Sequence, residues 1–233
     1  MKPGDPAAVE QLFDAVAPRY DRLNDLLSFG LHRQWKRQVV RALKPLPGEQ
    51  WLDLCCGTGD LALELGRCVR PGGAVIGLDA AAAPLERARQ RQQQQPWLPV
   101  TFQQGDALDT GLPSACADGA VMAYGLRNLA DPLQGLKELR RLLKPGGRAG
   151  VLDFNRLPQS GAAAAFQRFY LRRLVVPAAA SVGLREEYAY LEKSLEHFPA
   201  GPEQERLARQ AGFAEANHRS LVAGQMGVLT VRA

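Results

Sequence analysis

The residues of this chain best placed to do chemistry are two aspartates and the glycine turn between them. Trp51-Leu-Asp-Leu-Cys-Cys-Gly-Thr-Gly-Asp60 reads as a buried strand running into a glycine loop, and Asp60-Leu-Ala-Leu-Glu-Leu65 continues with apolar residues at helical spacing. Gly57 and Gly59 suit a turn at positive φ and let a ligand come close to the backbone. Gly57-x-Gly59-x-x-Ala62 satisfies the dinucleotide-binding pattern, so the loop by itself serves a nicotinamide cofactor, S-adenosylmethionine, or a tight turn with no ligand. Asp79 stands 20 residues after Gly59 at the end of a second apolar run, where a carboxylate can accept both hydroxyls of a ribose. Charge-assisted bonds of that kind are worth about 1.5 to 3 kcal/mol each. A cap on the following helix is the plainer use of the same aspartate.

These residues need a scaffold, and the chain supplies one by alternation. Apolar runs at Gln50 to Leu54, Ala74 to Asp79, Val100 to Asp106, Asp118 to Tyr124 and Arg148 to Phe154 predict strands. The helical stretches between them include Pro84 to Gln94 and Asp131 to Leu143, so a parallel sheet covered on both faces is expected. Residues 1–48 read as an N-terminal helical cover, with Trp35 and Val39 inward and Arg33, Lys36, Arg37, Arg41 and Lys44 outward. Pro45 and Pro47-Gly48 close it. Residues 49–233 form the core, with a mostly helical insertion near 158–198, a helix over Glu203 to Ala211, and a last pair of strands, Phe213 to Leu221 and Gly224 to Val231. At 233 residues this is one domain.

Three features decide between the cofactors. Asp53 lies inside the first strand, where a dinucleotide site is apolar but a sulfonium ligand needs a partner for its ammonium end. Asp106 follows Gly105 at the end of the third strand, where an adenine amino group would be met. The terminal strand pair suits a seven-stranded sheet of order 3-2-1-4-5-7-6 with the seventh strand antiparallel. The expectation is an α/β, Rossmann-like class I fold using S-adenosylmethionine as methyl donor. A nicotinamide-dependent reductase would need a Tyr-x-x-x-Lys or similar pair, and neither Tyr188 nor Tyr190 has a lysine four residues on. A nucleic-acid base methyltransferase calls for an Asp/Asn-Pro-Pro-aromatic turn after the fourth strand; that place holds Tyr124-Gly-Leu-Arg-Asn128, so no nucleic-acid partner is expected. A non-catalytic cofactor-binding protein shares the same spacing.

Tyr20-Asp-x-Leu-Asn-Asp-x-Leu-Ser-Phe-Gly-x-His-Arg-x-Trp-Lys36 resembles the first signature of the UbiE/MenG quinone C-methyltransferases. Arg127-Asn-Leu-x-Asp-Pro-x-x-Gly-Leu-x-Glu-x-x-Arg-x-Leu-Lys-Pro-Gly-Gly147 resembles the second. The tail, with Glu187-Tyr-x-Tyr-Leu and Phe198-Pro-x-Gly-Pro-Glu-Gln, is similar to the cyanobacterial and plastid branch, which implies methylation of 2-phytyl-1,4-naphthoquinol, with demethylmenaquinol or a benzoquinol as alternatives. The resemblance also implies that Thr58, Asp79, Asp106 and Ala107 contact the cofactor. Departures are Asp79-Ala-Ala-Ala-Ala-Pro-Leu85 after the second strand, Ala123 where relatives carry Ser or Gly on the cofactor side, and the partial anchor Leu112-Pro113.

Methylating a quinol carbon requires that carbon in line with the sulfonium methyl, a dry slot, and loss of the phenolic proton; no metal is needed. Arg127, Asn128 and Tyr20 are the candidates for handling that proton. Arginine stays protonated, so Arg127 is expected to orient a water or stabilise the phenolate with Asn128 fixing the geometry, or else simply to pair with an acid such as Asp131. His32, His197 and His218 read as structural.

A net charge of +5 is mild and dispersed. The four cysteines, Cys55, Cys56, Cys68 and Cys116, lack paired CxxC spacing and a nearby histidine pair, so neither zinc nor a disulfide framework is expected. With no secretory pattern at the N-terminus, a cytoplasmic protein is expected. In the stretch 161–176, Phe166, Phe169, Tyr170 and Leu174 share one helical face opposite Arg168 and Arg172. Such a helix either packs on the sheet or rests peripherally on an anionic membrane.

Overall fold

The computed structural model describes residues 31–156, 198–221 and 224–233, together with Arg173, Ser194 and Leu195. Its centre is β1 (Gln50–Leu54), five residues that alternate between two cores. Leu52 and Leu54 point into one cluster with Leu78, Met122, Leu136, Leu139, Leu142, Val151 and Leu229. Trp51 points into the other with Val39, Val40, Leu43, Leu61, Leu65, Val75, Val121 and Leu152. Burying each such side chain contributes about 1.5 to 3 kcal/mol, and both faces of the strand are used, as a parallel sheet requires.

Around β1 stand β2 (Ala74–Asp79), β3 (Val100–Gln104), β4 (Ala117–Ala123), β5 (Leu143–Phe154), β6 (Glu215–Leu221) and β7 (Met226–Arg232), in the order β3-β2-β1-β4-β5-β7-β6. Strands β1 to β5 run parallel, and β7 is antiparallel to both β5 and β6. The helices are α1 (Leu31–Leu43), α2 (Asp60–Cys68), α3 (Ala82–Gln93), α4 (Pro132–Leu142) and α5 (Gly201–Gln210). Helix α4 begins where Asp131 accepts the Gln134 N–H and Pro132 opens the first turn.

Several expected boundaries move. Strand β5 begins at Leu143 rather than Arg148, because Leu143 pairs with Ala117 before the register shifts at Gly119. Strand β3 stops at Gln104, which leaves Asp106 in a turn bridged to Asp109. Helix α1 includes Leu31 and the buried His32, ahead of the expected first residue Arg33. Lys36, expected outward, is only 19 % exposed and turns inward to Asp60.

Trp51 marks how tightly the centre is packed: a Cβ on Gly119 of β4 would lie 2.5 Å from its ring. Its indole N–H donates to Glu49 at 2.9 Å, and the Arg148 guanidinium lies 5.0 Å from the ring centroid. Trp97, in the loop before β3, is 59 % exposed. Trp35 packs half-buried from α1 against the second core. Among the described residues no helix is long and apolar enough to cross a membrane. The N-terminal stretch before α1, with Tyr20, and the expected insertion, with the amphipathic stretch 161–176, lie outside the described residues apart from Arg173, Ser194, Leu195 and Phe198.

Candidate active site

In an open α/β sheet the place to look is the carboxyl ends of the strands where the winding reverses. Here that point falls between β1 and β4. The loop after β1 is held by its own backbone: Cys56 N–H donates to Leu78 O at 3.0 Å and Gly59 N–H to Cys56 O at 2.9 Å. The two glycines serve different needs. Gly59 has φ +81°, and a Cβ there would lie 2.7 Å from the Phe102 ring, so the position is closed by packing. Gly57 has φ +53° with nothing within 4 Å of where a Cβ would stand, so its backbone faces open space.

Gly59 is also the N-cap of α2 and has no side chain to satisfy the first turn. Asp53 supplies that acceptor from β1, taking the Ala62 N–H at 2.8 Å. The carboxyl is 1 % exposed. Burial pushes it up to about 8, against the pull of Lys36 and the Ala62 N–H and with the help of Asp79 and Asp60. Asp79, at the end of β2, accepts the Gly57 N–H at 2.7 Å with one oxygen and the Ala81 N–H at 3.0 Å with the other. Asp79 and the glycine loop of the sequence reading are therefore in direct contact, and the second Asp79 oxygen holds the turn that leads into α3.

Thr58 is buried, and its carbonyl and hydroxyl oxygens accept from Arg91 at 2.7 and 3.2 Å. Asp60 binds Lys36 at 2.9 Å and Arg91 at 2.8 Å. Burial alone would raise its carboxyl, but the two cations outweigh burial and hold it well below the usual carboxylate range. Beyond β2, Ala107 is buried and Asp106 is exposed, accepting the Leu108 N–H at 2.9 Å.

At the end of β4, after the half-buried Ala123, Tyr124 takes φ +62°, and Cys55 beside it at the end of β1 takes φ +55°. Non-glycine residues held in this region cost about 1 to 3 kcal/mol and gather where a ligand is handled. The turn lets the Tyr124 carbonyl accept from Arg127 at 2.7 Å and from the Asn128 amide at 2.9 Å. Arg127 also binds Asp153 of β5 at 2.9 Å, with the two side chains 6 % and 3 % exposed. The ion-pair partner is thus Asp153 and not Asp131, which caps α4. Burial raises Asp153, and Arg127 offsets part of that rise. Tyr124 and Phe154 bring their rings to 5.6 Å beside this pair. Among the described residues the buried Asn128 Oδ1 has no donor.

The structure thus gathers Asp53, Gly57, Thr58, Gly59 and Asp79 around one loop, and Ala123, Arg127 and Asn128 at the neighbouring strand end. Sequence reading missed Asp60, Arg91, Tyr124, Phe154 and Asp153. The one available signal was the acid in Val151-Leu-Asp-Phe154, which repeats the pattern of Asp53 in a parallel strand.

A dehydrogenase site keeps its first strand apolar; the buried Asp53 and the antiparallel β7 instead place this molecule among the Rossmann-like S-adenosylmethionine-dependent methyltransferases. Solved structures agree on the fold. A SAM-dependent methyltransferase from Aquifex aeolicus has a TM-score of 0.67 at 17% identity, covering 94% of this chain and 97% of that one. Phosphoethanolamine N-methyltransferase 2 of Haemonchus contortus, in complex with S-adenosyl-L-methionine, has a TM-score of 0.66 at 13% identity, covering 85% of this chain and 52% of that one. More narrowly, the chain belongs to the ubiE/COQ5 methyltransferase family, whose model matches residues 1–231. It is 51% identical over 229 residues, 98% of each chain, to the 2-phytyl-1,4-naphtoquinone methyltransferase of Synechococcus elongatus. It is 42% identical to the chloroplastic 2-phytyl-1,4-beta-naphthoquinone methyltransferase of Arabidopsis thaliana, covering 94% of this chain and 84% of that one.

Proposed function

We propose that this enzyme methylates a ring carbon of a prenylated naphthoquinol, with 2-phytyl-1,4-naphthoquinol as the acceptor. The observation that carries the acceptor is the 51% identity, over 98% of both chains, to a relative named for that substrate. The site fits the donor: Gly57 offers an open backbone face between two acids, as a ligand with a ribose at one end and an ammonium at the other requires. Asp79 would hold the ribose hydroxyls, Asp53 the ammonium end, and Asp106 with Ala107 the adenine. Thr58, Gly59 and Ala123 would shape the channel between them. When bound, S-adenosylmethionine supplies an electrophilic sulfonium methyl.

The chain's own part is to seat the quinol and manage its proton. Asn128 Oδ1 is buried with no donor among the described residues and is available to accept a hydroxyl hydrogen, while Asn128 Nδ2 is fixed on the Tyr124 carbonyl. Arg127 is held by Asp153 and Tyr124 and keeps its charge, so its role is to stabilise the phenolate or orient a water. Tyr124 and Phe154 offer flat apolar walls. Tyr20, a third candidate for the proton, is tested by Tyr20→Phe with the fold checked alongside.

Quinone profiling by mass spectrometry in cells lacking the protein should show the demethylated phytyl naphthoquinone accumulating and disappearing on restoration. Accumulation of a demethylated menaquinone or benzoquinone instead would reassign the acceptor. A phytyl tail resides in lipid, so weak co-sedimentation with anionic liposomes, fading as salt rises, is also expected. Charge-reversal of Arg168 and Arg172 that left sedimentation unchanged would remove the 161–176 stretch from that role.

A further inference from the structure

We propose that Lys36 binds the carboxylate of the methyl donor's methionine end, sharing its ammonium between that carboxylate and Asp60. The inference rests on the methyl-donor reading of the glycine loop and extends it to a residue on a separate element, α1.

The position of Lys36 is fixed from two sides. Its Nζ lies 2.9 Å from Asp60 Oδ2 and 5.8 Å from the centroid of the Tyr124 ring. It therefore stands between the end of β4 and the start of α2, over the mouth rather than in bulk solvent. A lysine serving only a surface ion pair gains little from being four-fifths buried.

The ion-paired group at the start of α2 also leaves room for an anion. Asp60 is held by two cations, Lys36 on Oδ2 and Arg91 on Oδ1, so the three side chains carry one surplus positive charge. Burial raises the Asp53 carboxyl to about 8, which weakens its share in offsetting that charge near neutral pH. Asp79 keeps its negative charge, with one oxygen on the Gly57 N–H and the other on the Ala81 N–H. Arg91 is spent on Thr58 as well as Asp60. Among the described residues Lys36 has one acid in ion-pair contact and three N–H donors, so it can take a second carboxylate without leaving the first. The methionine end of the donor brings one carboxylate and one ammonium; Lys36 is the cation that matches the first, and the Asp53 carboxyl is a buried acceptor for the second.

The test uses a ligand that lacks only the group in question. Calorimetric Kd values for S-adenosylmethionine and decarboxylated S-adenosylmethionine are compared for the wild-type protein, Lys36→Met, Lys36→Gln and Lys36→Arg. Wild type should prefer the carboxylate-bearing ligand by roughly 10- to 100-fold, the scale of one charge-assisted hydrogen bond. Lys36→Met and Lys36→Gln should bring the two ligands to within about threefold, leaving the decarboxylated ligand's Kd unchanged, while Lys36→Arg keeps most of the preference. Lys36→Gln covers the case in which the methionine variant does not fold. Variants that retain the wild-type preference, or that weaken both ligands equally, overturn the proposal and leave Lys36 as a brace for the loop. A wild-type protein that binds neither ligand overturns the donor reading itself, and the proposal with it.

Discussion

Asp53 and Arg127 show at the scale of single residues how burial sets what a charged group can do. Burial raises the Asp53 carboxyl to about 8, so the folded protein holds its proton more tightly than the unfolded chain. That contribution is complete below the unfolded value near 4 and is lost as pH rises through about 8. Asp53→Asn should therefore flatten the fall in urea midpoint between about pH 5 and 8, and an unchanged slope would locate the titration elsewhere. Arg127→Ala leaves Asp153 buried without its cation and should cost about 3 to 5 kcal/mol in urea melts. Arg127→Lys restores the charge but not the planar guanidinium, whose Nη1 meets both Asp153 and the Tyr124 carbonyl. It should recover much of the stability while turnover stays low and the donor's Kd stays near wild type. Lysine turnover equal to wild type would reduce Arg127 to an ion-pair partner.

At the scale of elements, the strand–loop–helix unit from β1 to α2 makes two similar substitutions differ in kind. Gly59→Ala drives a methyl group into the Phe102 ring at a left-handed backbone position, and should destabilise the fold by about 1 to 3 kcal/mol. Gly57→Ala meets nothing, so it should cost only about 1 kcal/mol of backbone strain while sharply weakening donor binding by filling the ligand's approach. Melts and calorimetry on the pair would refute this if both variants lost stability alike. This unit was legible because a short apolar run, two glycines and an apolar-periodic helix are local signals. The start of β5 was not, since it depends on Leu143 finding Ala117 across the sheet. Lys36 was misread outward because a helix pattern assigns charge to solvent, whereas its partner Asp60 lies 24 residues away in sequence. The Arg127 to Asp153 pair, 26 residues apart, is likewise a product of two parallel strands coming together, and spacing alone does not reveal it.

At the scale of the whole molecule the carboxylates divide into two groups with opposite pH behaviour. In Asp60, Glu49 and Asp118 burial alone would raise the carboxyl, but cations and donors, respectively Lys36 and Arg91, Arg148, and the Gln50 N–H with Lys144, hold it low. Arg141 and Thr110 bring Glu138 to about 2. Their contributions are present above the unfolded carboxylate range and are lost on acidification, whereas that of Asp53 is lost on the alkaline side. The urea midpoint should peak at roughly pH 5 to 6 and fall to either side, and a midpoint still climbing at pH 8 would contradict this division. The three tryptophans lend the molecule a further property, an optical one. Trp51 is sealed at 1 % exposure, Trp97 stands 59 % exposed, and Trp35 lies half-buried on α1 next to Lys36. Each is a fluorophore in a different medium, so acrylamide should quench Trp97 first and the blue-shifted emission of Trp51 should survive until the sheet itself melts. With Trp97 quenched and Trp51 sealed, a change in the remaining quenching falls to Trp35 and reports whether α1 stays seated over the mouth of the sheet.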